Sequence, residues 1–308
     1  MAITDRYLHD PAAFPSPSDG EPWGEAELWI DFVGGPYHVT GLSETQNRRL
    51  REHFADVCIA QPAAAASAIR MGVRRLSAGL FRPPAPPPRE LSFELHAQAD
   101  HMSVAGESLC ARIDCAAATA GTLWTGTEDD FFTRNVFENF FRILVTYRLL
   151  EQGGLLLHSA GVVNREQAFL FPGRSGDGKS TLSKASLAEG RTILSDDMNA
   201  VIWRNGEPRV EKVPFTGDLG RTWSRGSDYP LRAILALEKA GTTSVRELAP
   251  ARAMSLMAAC APFLNSDPFR MPKLLENLQQ LTVRTPTHIL AFSNKGEIWP
   301  VIEEVIPS

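Results

Sequence analysis

Gly173-Arg174-Ser175-Gly176-Asp177-Gly178-Lys179-Ser180-Thr181 has the spacing of a phosphate-binding loop, G-x-x-x-x-G-K-[ST], with a second hydroxyl behind it. Each residue type has a physical job there. Gly173, Gly176 and Gly178 free the backbone for left-handed angles, so the N–H groups of this stretch, Arg174, Ser175 and Asp177 included, can fold around a polyphosphate. Lys179 supplies a point charge to the β- and γ-phosphates, and Ser180 supplies an oxygen to Mg²⁺. A helix opening at Lys179 adds the positive end of its dipole. The chemistry implied is binding of ATP with Mg²⁺.

A second group follows closely. Ser195-Asp196-Asp197 ends a short apolar stretch, and carboxylates at a strand end beside a phosphate loop can hold Mg²⁺ and take a proton from an attacking hydroxyl. We assign the proton to Asp196, and the metal to Asp197 together with Ser180. His158 is a third candidate, as a metal ligand or as a phosphate partner.

The elements that must position these residues read as follows. Ala168–Phe171 is a buried strand, and Thr181–Glu189 is helical and stopped by Gly190. Arg191–Leu194 is the strand that delivers the Asp pair. Upstream, Leu155–Val163 reads as a strand that turns at Asn164-Arg165-Glu166 and returns through Ala168–Phe171 as a hairpin. Setting Val162 opposite Ala168 puts His158 opposite Pro172, at the entrance of the loop.

The run LLLHSAGVV…FLFPGRSGDGKSTL…GRTILSDD resembles the HPr kinase/phosphorylase-related kinases, whose core is also similar to ATP-dependent phosphoenolpyruvate carboxykinase. The strong likeness covers residues 136–202, and a looser one runs to 293. It implies an α/β fold with a P-loop nucleotide-binding core of that type. It also implies that His158, Lys179, Ser180, Asp196 and Asp197 match functional positions, Lys179, Asp196 and His158 as catalytic residues. Pro214-Phe215-Thr216-Gly217-Asp218 looks like a weaker downstream motif of the same kinases. Two departures stand out: no Glu-x-Arg-Gly segment follows the acidic pair, and Met198 takes the place of a third acid.

Composition bounds the rest. The chain has 308 residues, 44% of them hydrophobic, which is enough for one large domain or two smaller ones with a core. A net charge of −5 argues against a nucleic-acid partner bound through phosphates. No apolar run approaches the roughly 18 residues of a membrane span. Four cysteines (Cys58, Cys110, Cys115, Cys260) match no zinc spacing and read as buried thiols of a cytoplasmic protein. A homo-oligomer is compatible with the sequence.

Three regions are expected along the chain: a loosely held arm at 1–25, a smaller β-rich module at 26–130 and a P-loop kinase-like domain at 131–308. In the module, Glu27–Val33 and Tyr37–Thr40 flank Gly34-Gly35 as a hairpin, and Thr45–Phe54 is a short helix. Arg82–Glu90, with five prolines, is a stiff connector into a strand at Leu91–Leu95. Thr133–Gln152 is a strong helix with an apolar stripe of Val136, Phe137, Phe140, Phe141, Leu144 and Val145, which we expect to pack on the nucleotide-loop sheet. Downstream come a hairpin at Asn205-Gly206, a strand at Arg232–Glu238, helices at Ala251–Ala261 and Pro272–Leu281, and a strand at His288–Phe292. Gly217–Tyr229 reads equally as a substrate lid or a plain loop. The function expected is an ATP- and Mg²⁺-dependent kinase acting on a hydroxyl acceptor, a Ser or Thr of a protein or peptide. The alternatives are a non-catalytic nucleotide-binding module or a small-molecule kinase.

Overall fold

The computed structural model describes residues 14–63, 65–82, 94–174, 176–215, 217, 228–292 and 297–307. It is a mixed α/β structure that divides into two compact units, Met1–Arg148 and Leu149–Ser308. Most of the expected Pro-rich connector, the start of the strand after it and most of the 217–229 loop fall outside the described residues.

The first unit is built on one sheet. Its strands are β1 Glu21–Pro22, β2 Ala26–Ile30, β3 Tyr37–Leu42, β4 Cys58–Ile59, β5 Ile69–Arg75, β6 Glu94–Ala97, β7 His101–Gly106, β8 Leu109–Asp114 and β9 Ala120–Thr125. They are ordered β4-β2-β3-β5-β9-β8-β7-β6, with β1 paired to β5. Helix α1, Glu44–His53, starts in a capping box: the Ser43 hydroxyl accepts the Gln46 N–H and the Gln46 side chain accepts the Ser43 N–H.

The long helix of the sequence reading starts as a π-helical turn at Phe132–Phe137 and continues as α2, Glu138–Glu151. Its stripe is wholly buried. The expectation that it packs on the nucleotide-loop sheet needs correction. Phe141 meets Phe32, Tyr37 and Phe54 edge-on at 5.4, 4.9 and 5.7 Å between centroids, and Phe140 rests on Gly121, all in the first unit. Edge-to-face aromatic contact is the geometry the ring quadrupoles favour, and the first unit supplies the partner rings.

The second unit contains β10 Leu155–Asn164, β11 Gln167–Pro172, α3 Lys179–Ala188, β12 Thr192–Ser195, β13 Met198–Arg204, β14 Glu207–Lys212, β15 Asp228–Lys239, β16 Ser244–Glu247, α4 Pro250–Ala259, α5 Met271–Arg284, β17 Thr287–Phe292 and α6 Trp299–Val305. Two long strands each change partner midway. Leu155–His158 of β10 pair with β13, whereas Ser159–Asn164 pair with β11. β15 begins against β14 and continues between β11 and β17.

Alternate residues on these strands (Ala160 and Val162, Phe169 and Phe171, Ala233 and Leu235, Leu290 and Phe292) form a buried cluster with Leu182 of α3 and Trp299 and Ile302 of α6. Trp299 also donates its indole N–H to Ser186 Oγ at 2.9 Å, and the Glu189 carboxylate accepts the Ile298 and Trp299 N–H groups at 3.0 and 3.2 Å. An acid at a helix start satisfies orphan donors and complements the dipole, so α6 is clamped to the end of α3.

Candidate functional site

β10 and β11 form a hairpin in which Asn164 pairs with Gln167, leaving Arg165 and Glu166 as a two-residue turn with φ of 48° and 61°. Positive φ at both turn positions is the conformation that suits the twist of adjoining strands. The sequence reading gave that turn three residues, so its register is one residue off. Ser159, not His158, lies opposite Pro172. His158 still reaches the loop entrance, because its carbonyl accepts the Gly173 N–H at 3.4 Å.

Beyond Pro172 the chain crosses to α3. Gly176 and Gly178 take φ of 85° and 101°, and Gly178 is the N-cap. Side chains would strain both positions. Asp177 folds back so that its Oδ2 accepts the Arg174 N–H at 2.6 Å. Lys179 is 7% exposed and donates its ammonium to the Gly173 and Arg174 carbonyls at 2.9 and 3.0 Å. Ser180 is half-buried in the first helical turn, Thr181 is exposed, and Ser175 lies outside the described residues.

The Asp pair sits in a tight turn between β12 and β13. Ser195 Oγ accepts the N–H groups of Asp197 and Met198 at 3.1 and 3.2 Å, which fixes the backbone that carries both carboxylates. Asp196 is 6% exposed. Asp197 is half-buried, and its Oδ1 lies 3.4 Å from His158 Nε2. The His158 N–H donates to the Cys260 carbonyl at 2.8 Å, and the Ser159 N–H donates to the Asp197 carbonyl at 2.9 Å. The dipeptide His158-Ser159, where β10 changes partner, therefore bonds to the phosphate loop through one residue and to the Asp turn through the other.

Sequence reasoning missed three participants. Asn199, wholly buried, donates through Nδ2 to the Ser159 carbonyl at 2.8 Å and to Ser159 Oγ at 3.1 Å, while its Oδ1 lies 2.3 Å from where a Cβ on Gly161 would stand. An amide in the apolar run Met198–Trp203 was the available signal. Cys260 lies at the end of α4; burial pushes its thiol up to about 11 against the opposite pull of the Lys179 charge. Lys212 pairs with Asn199 across β13 and β14, and burial lowers its pKa to about 8. All four cysteines are free thiols.

A triphosphate fits this loop chemically: glycines in left-handed angles, a helix N-terminus with no side-chain cap, and a lysine held by neutral carbonyls that phosphate oxygens can replace. For Mg²⁺ the available oxygens are Ser180 Oγ and the Asp197 carboxylate. Among the described residues no three His, Cys, Asp or Glu side chains cluster as a metal cage. Mg²⁺ typically takes only one or two carboxylates and leaves its other positions to phosphate and water.

A family model described as SynChlorMet cassette protein ScmC matches residues 133–307. The chain belongs to this family. The family match spans His158, the phosphate loop and the Asp pair. No curated protein matches the chain. Among solved structures, the Hpr(Ser) kinase/phosphatase from Coxiella burnetii is distantly similar, with 12% identity and a TM-score of 0.28 over 49% of this chain and 92% of that one. No helix among the described residues is long and apolar enough to cross a membrane.

Proposed function

We propose that this member of the ScmC family is an ATP- and Mg²⁺-dependent phosphotransferase, related in its P-loop core to the HPr kinases, that phosphorylates a Ser or Thr hydroxyl of a protein or peptide in the cytoplasm. The observation that carries the reading is the joint attachment of the phosphate loop and the Asp turn to His158-Ser159. It couples a triphosphate-binding element to two carboxylates through adjacent residues of one strand.

The reaction forms a bond from the acceptor oxygen to the γ-phosphorus, breaks the bond from that phosphorus to the ADP oxygen, and moves the hydroxyl proton to a carboxylate. Asp196 takes that proton. Lys179 releases its two loop carbonyls and balances charge on the phosphates. Ser180 and Asp197 would hold Mg²⁺, which neutralises the charge of the transferring group. His158 orients Asp197 from 3.4 Å. Positioning and charge stabilisation, rather than covalent chemistry, supply most of the rate. The test is incubation with ATP, Mg²⁺ and candidate peptides, following ADP release and acceptor mass. ADP release with a phosphorylated hydroxyl supports the reading, whereas tight ATP binding without ADP release points to a non-catalytic module.

A further inference from the structure

Beyond β14 the chain runs through buried Val213, Pro214 and Phe215 and brings Gly217 onto the Asp turn. A Cβ on Gly217 would stand 2.2 Å from Asp196 Oδ1, 3.2 Å from Asp196 Cγ and 3.0 Å from Asp197 Cβ. Gly217 is not among the glycines with left-handed φ, so its backbone angles do not demand glycine. The demand is space. The backbone beneath Asp196 is pinned by the two N–H bonds to Ser195 Oγ, and its side chain is 6% exposed. The closest approach by far is to the Asp196 carboxylate, so a methyl group at 217 requires that carboxylate to swing from its present direction, with a smaller adjustment at Asp197 Cβ.

We propose that Gly217 is a positioning residue for Asp196: its bare Cα forms the wall that sets the direction of the carboxylate. This rests on the phosphotransferase reading, in which Asp196 receives the acceptor proton. A displacement of about 1 Å at such a group can cost on the order of 10²-fold in rate. Nucleotide affinity is held by the loop and helix and should be spared.

The experiment is a double-mutant cycle on the full chain with Gly217→Ala, Asp196→Ala and the pair, read by thermal midpoint, Mg·ATP affinity and ADP release. Gly217→Ala should lower the midpoint and cut ADP release by about 10²-fold, with affinity within about twofold of wild type. In the Asp196→Ala background the same substitution should lower the midpoint markedly less, because its closest contact is gone and only the 3.0 Å approach to Asp197 Cβ remains. If Gly217→Ala alone fails to fold, recovery of the fold in the double variant supports the contact equally. An equal loss of midpoint in both backgrounds overturns the proposal, as does a parallel fall of affinity and turnover. A wild-type chain that neither binds nor turns over Mg·ATP overturns the phosphotransferase reading and with it any catalytic role for Gly217; the melting cycle still reports separately whether Gly217 meets Asp196.

Discussion

Lys179 lies folded on its own loop, its ammonium shared between two carbonyls. Nucleotide binding therefore exchanges neutral acceptors for phosphate oxygens, and hydrogen bonds to charged groups are worth about 1.5–3 kcal/mol. Lys179→Ala should weaken Mg·ATP binding by roughly ten- to a hundredfold in calorimetric titration; unchanged affinity would remove the loop from the site. Asp196→Asn should keep that affinity and lower turnover by about 10²–10⁴, the usual worth of a general base. Asp197→Asn should instead raise the Mg²⁺ concentration needed for half-maximal rate. Wild-type turnover in both variants would leave the Asp pair without a catalytic role. At this scale glycine, lysine and carboxylate spacing pointed to the loop and the Asp turn, which the fold joins through His158-Ser159. Asn199 escaped notice and Gly217 was noticed only within a downstream motif, because the work of both is packing against atoms distant in the chain, a buried amide across three strands and a missing side chain on a carboxylate.

Elements were legible wherever a local rule fixed them. Asn205-Gly206 makes the expected two-residue turn with φ of 53° and 79°, and β12 runs into the Asp pair as its apolar run suggested. The β10–β11 hairpin was found but slipped by one residue, since Arg165 and Glu166 give no composition signal for left-handed angles. The helix stripe was read correctly as core and assigned to the wrong sheet, because periodicity shows which face is buried and not what buries it. Helix α6 went unread, being only seven residues long with Pro300 in its first turn. Its anchor is Trp299, wholly buried with edge-on contacts to Phe169 and Phe171 at 5.2 and 6.4 Å. Trp299→Ala should cost about 3–5 kcal/mol in urea unfolding; a loss below about 1 kcal/mol, within the range of an ordinary surface change, would show that α6 is not clamped to α3.

For the molecule as a whole, the chain divides into two units, and the short strands β7 to β9 of the first, buried along most of their length, carry too little alternation to be read one by one. Stability against pH is a property of this scale. Burial depresses the Lys212 pKa to about 8, so between there and its unfolded value near 10.4 the unfolded chain holds a proton that the folded chain lacks. Stability from this group therefore rises with pH across that window, and its penalty is fully present below it. Lys212→Met should remove that rise in urea-unfolding measurements at pH 7 to 10; an identical slope in both proteins would show that Lys212 is not desolvated in the fold. The central claim concerns what the site does to ATP, and transfer of the γ-phosphoryl group measures it most directly. With γ-labelled ATP, Mg²⁺ and a Ser- or Thr-containing peptide panel, the wild-type chain should release ADP and leave label on an acceptor hydroxyl, and Lys179→Ala should leave neither. Label that stays on ATP across the panel, or that moves equally well in Lys179→Ala, would contradict the account.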